Sequence, residues 1–154
     1  MNTAVILCAG NGTKCHPYTS VRNKVMIPIS NRPILSYGVE SLLSLGFRHI
    51  VLVTGAFCEE IRAFFRDVPQ VEIVEDPSPK GTAFSAFCAK DRIEGDFLLL
   101  YGDTIADTDD LRALRDTFLA NGENAALLDA IDNRSSEHIG CTVENGYVSD
   151  ICGH

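Results

Sequence analysis

Ala4-Val5-Ile6-Leu7-Cys8-Ala9-Gly10-Asn11-Gly12-Thr13-Lys14 is the stretch on which the fold turns. Ala4–Cys8 is an apolar run the length of one buried strand. It leads into a turn with two glycines, which lets backbone N–H groups approach an anion closely, and Lys14 adds positive charge. A strand, a glycine turn and then a helical pattern make a β-α-β unit, and the rest of the chain repeats the alternation. His49–Thr54 is a second strand, and Val71–Glu75 alternates as an edge strand would. Phe97–Tyr101 is apolar throughout, which predicts a strand buried on both faces. Ala125–Ala130 is expected to be a fifth strand. Gly140–Val143 and Tyr147–Ile151 form a hairpin pattern around Glu144-Asn145-Gly146, because Asn-Gly suits a type I′ turn.

Helical patterns fill the gaps. Pro33 suits a first helical position, with Ile34, Leu35, Val39, Leu42 and Leu43 turned inward and Gly46 after the end. Phe57, Ile61, Phe64 and Phe65 make a helical stripe. Thr82 is expected to cap a helix carrying Phe84, Phe87 and Cys88 inward. Thr108, Asp109 and Asp110 suit the start of a further helix, which Leu111, Leu114, Phe118 and Leu119 continue and Asn121-Gly122 ends. The expectation is an α/β fold: a three-layer αβα, Rossmann-like arrangement around a mainly parallel sheet, with residues 1–154 forming one domain.

Thirteen Lys+Arg against twenty-one Asp+Glu leave a net charge of −8, which argues against nonspecific binding to nucleic acid or anionic membrane. No apolar run approaches the roughly 18–20 residues of a membrane span. The N-terminus has no basic region before its apolar run, so it does not resemble a signal peptide. Six cysteines without a CxxC pair fit free thiols in a reducing cytoplasm. A cytoplasmic location is expected, with neither nucleic acid nor membrane as partner.

Ligands of such sheets bind beyond the carboxyl ends of the strands. The residues just after each strand therefore carry the information. Gly10–Lys14 follows the first strand and is either a phosphate loop or a tight turn. It is not a dinucleotide loop, because Cys15 holds the third glycine position and Thr54-Gly55 stand where an acidic ribose ligand belongs. The chain also lacks the GK[ST] string of a Walker loop. Asp103, after Phe97–Tyr101, is either a Mg²⁺ ligand or a turn cap. Lys24, in the loop Arg22–Pro28, is either an anion ligand or a solvated surface lysine.

Taken together, these strings resemble one family. Val5 to Thr19 closely resembles the opening signature of the sugar-phosphate nucleotidyltransferases. Lys24-Val25-Met26-Ile27-Pro28-Ile29 and Asn31-Arg32-Pro33-Ile34-Leu35 resemble its next two segments. Lys80-Gly81-Thr82-Ala83 resembles its base-recognition loop and Tyr101-Gly102-Asp103 its metal-binding segment. Gly140 resembles the glycine before its acceptor site.

The resemblance spans the chain and implies a nucleotide-diphospho-sugar transferase fold. The reaction it implies is transfer of NMP from an NTP to a sugar 1-phosphate, or a similar phosphorylated acceptor, with release of pyrophosphate. By that resemblance Gly10, Gly12 and Thr13 hold the triphosphate, and Lys14 grips the leaving pyrophosphate. Lys24 neutralises the attacking phosphate and the α-phosphate. Leu7, Cys8, Ala9, Gly81 and Thr82 line base and ribose, and Asp103 holds Mg²⁺. A noncatalytic module that senses nucleotide or NDP-sugar is the alternative, and self-association stays open.

Four departures from the family stand out. Lys14 replaces an arginine, trading a bidentate fork for a point charge. Asn23 replaces a proline, which is expected to loosen the Lys24 loop. Asp76 stands where many members carry a glutamine that reads the base edge, so it is expected at the nucleotide. Members also continue well past this length, toward a second metal-binding Asp, and Gly153 falls where they carry an acidic sugar ligand. The chain is thus expected to be the N-terminal portion of a longer domain, with His154 either a metal ligand or a plain end residue.

Overall fold

The unbroken apolar run of the first strand calls for burial on both faces, and that strand lies inside the sheet. The computed structural model describes residues 1–129 and 140–152. In chain order the elements are β1 (Thr3–Cys8), a small hairpin of β2 (Pro28–Ile29) and β3 (Arg32–Pro33), α1 (Ile34–Ser44) and β4 (His49–Thr54). Then come α2 (Cys58–Phe65), β5 (Val71–Glu75), α3 (Thr82–Cys88), β6 (Phe97–Tyr101) and α4 (Thr108–Asn121). A hairpin of β7 (Gly140–Glu144) and β8 (Tyr147–Cys152) follows. The central sheet has the order β5-β4-β1-β6 and is parallel throughout, with Val5 opposite Val51 on one side and Leu99 on the other.

Each face of the sheet has its own cover. Ile6, Ile50, Leu52 and Leu98 pack with Leu35, Val39 and Leu42 of α1 and Ile61 and Phe65 of α2. Val5, Val51 and Val53 face the opposite way, onto Ala89 just past α3. The result is the three-layer α/β arrangement expected.

Local signals placed most boundaries. Gly46 (φ 85°) and Gly122 (φ 68°) stand in left-handed geometry just past α1 and α4, as helix-ending glycines do. Asn145 (φ 53°) and Gly146 (φ 84°) both have positive φ, as a type I′ turn requires. The β2–β3 hairpin was not anticipated, although Ser30 (φ 50°) and Asn31 (φ 63°) at its tip are turn residues.

Several expectations about faces need correcting. Only Leu98 of β6 is fully buried, while Phe97, Leu99 and Tyr101 are exposed. The cause is position: among the described residues β6 is an edge strand, and α3 packs mainly over β1 and β4. Phe57 precedes α2 with φ 61° and is exposed, as is Phe64, so Ile61 and Phe65 are the apolar residues that bury that helix. On α3, Phe84, Phe87 and Cys88 face solvent and Ser85 faces inward. Gly81, not Thr82, is the residue that caps α3, and Asp107 caps α4 by accepting from Asp109 N at 2.8 Å.

Residues 125–129 form no strand, and Ala130 lies outside the described residues, as do Gly153 and His154. Cys8, Cys15, Cys58, Cys88 and Cys141 are free thiols. Among the described residues no helix is long and apolar enough to cross a membrane.

Candidate active site

From β1 the chain moves to β4 and then β5 on one side, and β6 falls on the other side of β1. The strand order thus changes direction at β1, and a crevice lies at the carboxyl ends of β1 and β6. Its volume is about 330 Å³. Leu7, Cys8, Ala9 and Gly10 line it from the end of β1, Gly81 and Thr82 from the start of α3, and Lys24 and Asp103 from two further loops. A larger groove of about 570 Å³ runs beside β6 and α4, mostly among apolar side chains. The smaller crevice is the better candidate because it holds the opposed charges and the glycine loop.

Lys24 and Asp103 meet there. Lys24 Nζ donates to Asp103 Oδ2 at 2.6 Å, with both side chains about one-third exposed. That hydrogen bond raises the amine above its ordinary value, against a smaller opposing effect of burial, so Lys24 is held charged. Gly102 makes the meeting possible. Its N–H donates to Leu7 O at 2.9 Å, and a Cβ there would lie 2.7 Å from Cys8 Sγ and 3.0 Å from Val25 Cγ1. Burial, with the Asp103 charge adding to it, pushes the Cys8 thiol far up, so this wall residue is an unreactive thiol.

The glycine loop is built by a similar close approach. Gly12 has φ 62°, and a Cβ on it would sit 2.7 Å from Thr19 Cγ2. Thr19 Oγ1 and Cys15 N both donate to Gly12 O, at 2.8 and 2.9 Å, closing the short 3₁₀ turn Thr13–Cys15. Gly10 and Asn11 form part of the crevice wall, whereas Gly12, Thr13 and Lys14 are not among its lining residues. Gly12 packs against Lys24, whose Cβ would lie 3.2 Å from a Cβ on it. Thr19 contributes a tie that spacing alone gave no reason to pick out.

Asp76 stands elsewhere. It is buried, its Oδ1 accepts from Ser78 N at 3.2 Å, and its Oδ2 accepts from the Ser85 hydroxyl at 2.7 Å. It does not line the crevice. It stands behind Ser85, which does line the crevice, and its carboxylate ties the loop before Gly81 to α3. Asn23 departs from expectation, for its side chain makes three hydrogen bonds and fastens the Lys24 loop instead of loosening it.

Residues 4–141 match the MobA-like NTP transferase domain, and the chain belongs to that family. Its relatives include glucose-1-phosphate nucleotidyltransferases. Bifunctional protein GlmU of Methanococcus maripaludis is 39% identical over 148 residues, covering 96% of this chain and 34% of that protein. UTP–glucose-1-phosphate uridylyltransferase AglF of Haloferax volcanii is 29% identical, covering 94% of this chain and 60% of that one. The chain thus spans about a third of the length of the GlmU relative. Among solved structures, the inositol-1-phosphate CTP transferase of T. maritima shares the fold, with a TM-score of 0.78, 19% identity and coverage of 98% of this chain and 63% of that one. A Bacillus anthracis chain, described as a glucose-1-phosphate thymidylyltransferase and solved with a sucrose, superposes with a TM-score of 0.81 at 24% identity, over 97% of this chain and 63% of its own.

Proposed function

We propose that the chain carries the nucleotide site of a Mg²⁺-dependent sugar-1-phosphate nucleotidyltransferase. A phosphate oxygen of the sugar 1-phosphate, or of a similar phosphorylated acceptor, bonds to the α-phosphorus of an NTP. The bond from the α-phosphorus to the bridging oxygen breaks, and pyrophosphate leaves with that electron pair. One observation supports this reading above the others: a charged Lys24 and the Asp103 carboxylate face each other at 2.6 Å in the switch-point crevice, beside a glycine loop.

Each residue then has a task at a stated place. Gly10, Gly12 and Thr13 present backbone N–H groups to the triphosphate. Lys14 adds charge near the leaving pyrophosphate, and Lys24 neutralises the phosphates that must approach one another. Leu7, Cys8, Ala9, Gly81 and Thr82 enclose base and ribose. Asp103 offers a hard carboxylate oxygen, the donor that Mg²⁺ takes together with substrate phosphates and water. Mg²⁺ bound there would supply charge neutralisation for the phosphate oxygens. Positioning and charge neutralisation suffice for a displacement of this kind, with no covalent enzyme intermediate.

The test is a screen of four NTPs against a panel of sugar 1-phosphates, with pyrophosphate release and NTP binding measured with and without MgCl₂. Binding of at least one NTP, strengthened by MgCl₂ and weakened about tenfold or more but still measurable in Lys24→Met and Asp103→Asn, is expected. A folded sample that binds none of the four refutes the proposal.

A further inference from the structure

We infer that Asn23 is a positioning residue of this site, which sets where Lys24 stands from inside the crevice wall. Its functional weight rests on the nucleotide-site reading above; its geometry does not. The residue is 4% exposed. Asn23 Nδ2 donates to Cys8 O at 3.0 Å and to Ala56 O at 3.0 Å, and Oδ1 accepts from Val25 N at 3.1 Å.

These three partners belong to three different pieces of the site. Cys8 ends β1, Ala56 lies just past β4, and Val25 sits in the 3₁₀ turn Lys24–Met26. One amide therefore fastens the Lys24 turn to the ends of the two central strands. Fifteen residues separate Asn23 from Cys8, so local geometry alone does not fix the distance from Lys24 to β1. Lys24 follows Asn23 directly and reaches across to Asp103 on the β6 side. Displacing the turn by an ångström would open a 2.6 Å ion pair beyond hydrogen-bond range.

The proline that the resembled family carries here would serve the same end differently. Asn23 has φ −67°, a value a pyrrolidine ring imposes covalently. In this chain an amide with both polar atoms engaged holds that backbone, and it anchors the turn to two strands as well.

Asn23→Asp tests this, because it keeps the shape and the acceptor for Val25 N but has no donor for the two carbonyls. Asn23→Ser, small and uncharged, carries the same readouts if the aspartate variant does not fold. The first readout needs no nucleotide. The protein is reductively methylated with ¹³C-formaldehyde, the Lys24 signal is assigned by its loss in Lys24→Arg, and Asp103→Asn marks where it lies without the ion pair. In Asn23→Asp the signal is expected to move toward the Asp103→Asn position, and an unmoved signal overturns the inference. The second readout is affinity for UTP and dTTP with MgCl₂, measured where melting curves show every variant folded. Asn23→Asp is expected to weaken the tighter nucleotide about tenfold or more. The double variant with Lys24→Met should bind no more weakly than Lys24→Met alone. Additive losses would mean that Asn23 acts apart from Lys24, and would overturn the inference. Should the wild-type protein bind no NTP at all, the nucleotide-site reading fails, and the methyl signal still decides the role of Asn23.

Discussion

Replacing Gly102 with alanine adds one carbon at the most crowded point of the site. Gly102 has no positive φ, so the backbone accepts the change and only contacts oppose it. The new Cβ would lie 2.7 Å from Cys8 Sγ, 3.0 Å from Val25 Cγ1 and 3.1 Å from Leu7 O. Carbon atoms pack best at about 3.5–4.0 Å, so the end of β6 must shift away from β1. Overpacking of this kind costs about 1–3 kcal/mol. For a chain of this size that lowers Tm by roughly 2–12 °C. Asp103 is the next residue, so the same shift pulls its carboxylate from Lys24 and weakens NTP binding. Cys8→Ala removes the nearest clashing atom. In that background the cost of Gly102→Ala should fall below about 1 kcal/mol. Urea denaturation of wild type, both single variants and the double variant measures all the terms. A Gly102→Ala protein as stable as wild type, or a cost unchanged by Cys8→Ala, would refute the packing argument.

Four further outcomes follow from the structure. Stability should fall above about pH 9. Cys8 and Lys24 both have folded-state values raised above their ordinary 9.0 and 10.5, so the unfolded chain loses those protons first as pH rises. Melting curves from pH 7 to 11 should show the lower part of the slope flattened in Cys8→Ala and the upper part in Lys24→Met. Ser85→Ala leaves one oxygen of the buried Asp76 carboxylate without its hydroxyl donor and should cost about 1–3 kcal/mol by chemical denaturation. Asp76→Gln should leave the order of preference among the four NTPs unchanged in competition binding, because Asp76 is not among the residues lining the crevice and its carboxylate is engaged by Ser78 and Ser85. Brief alkylation of the folded protein at pH 8 should label exposed Cys88 and spare Cys8, which mass spectrometry of the peptides would show.

What the sequence disclosed was mostly what neighbours in the chain decide. The β4 run His49–Thr54 and the β7–β8 hairpin around Asn145-Gly146 carry their signals within a few residues, and they fell where expected. The Gly12 turn, Lys24 and Asp103 were also legible, because loops after strands can be located once the strands are known. Burial was harder. Phe84 and Phe87 are apolar at helical spacing, yet they point outward. Spacing fixes that two residues share a face but not which face the sheet covers. Phe97–Tyr101 misled in the same way, since a run of apolar residues does not say whether its strand is central or at an edge. The ties made by Asp76 and Asn23 are not legible in the sequence, because their partners are 9, 15 and 33 residues away. A side chain that ties separate loops together leaves no periodic trace.

The Lys24–Asp103 pair bears finally on how a nucleotide reaches the crevice. Opposed charges 2.6 Å apart nearly cancel at a distance, and the chain around them is −8. The pair leaves little cationic field of its own to draw in a polyanion, and the surrounding charge repels one weakly over a Debye length of about 8–10 Å. Dissolved salt should therefore speed the encounter by screening that repulsion, where a site with an open basic mouth would slow. Arrival is then left to diffusion, and tight binding must come from contacts formed after entry. Discrimination between one nucleotide and another would accordingly appear in how long each stays, not in how often each collides.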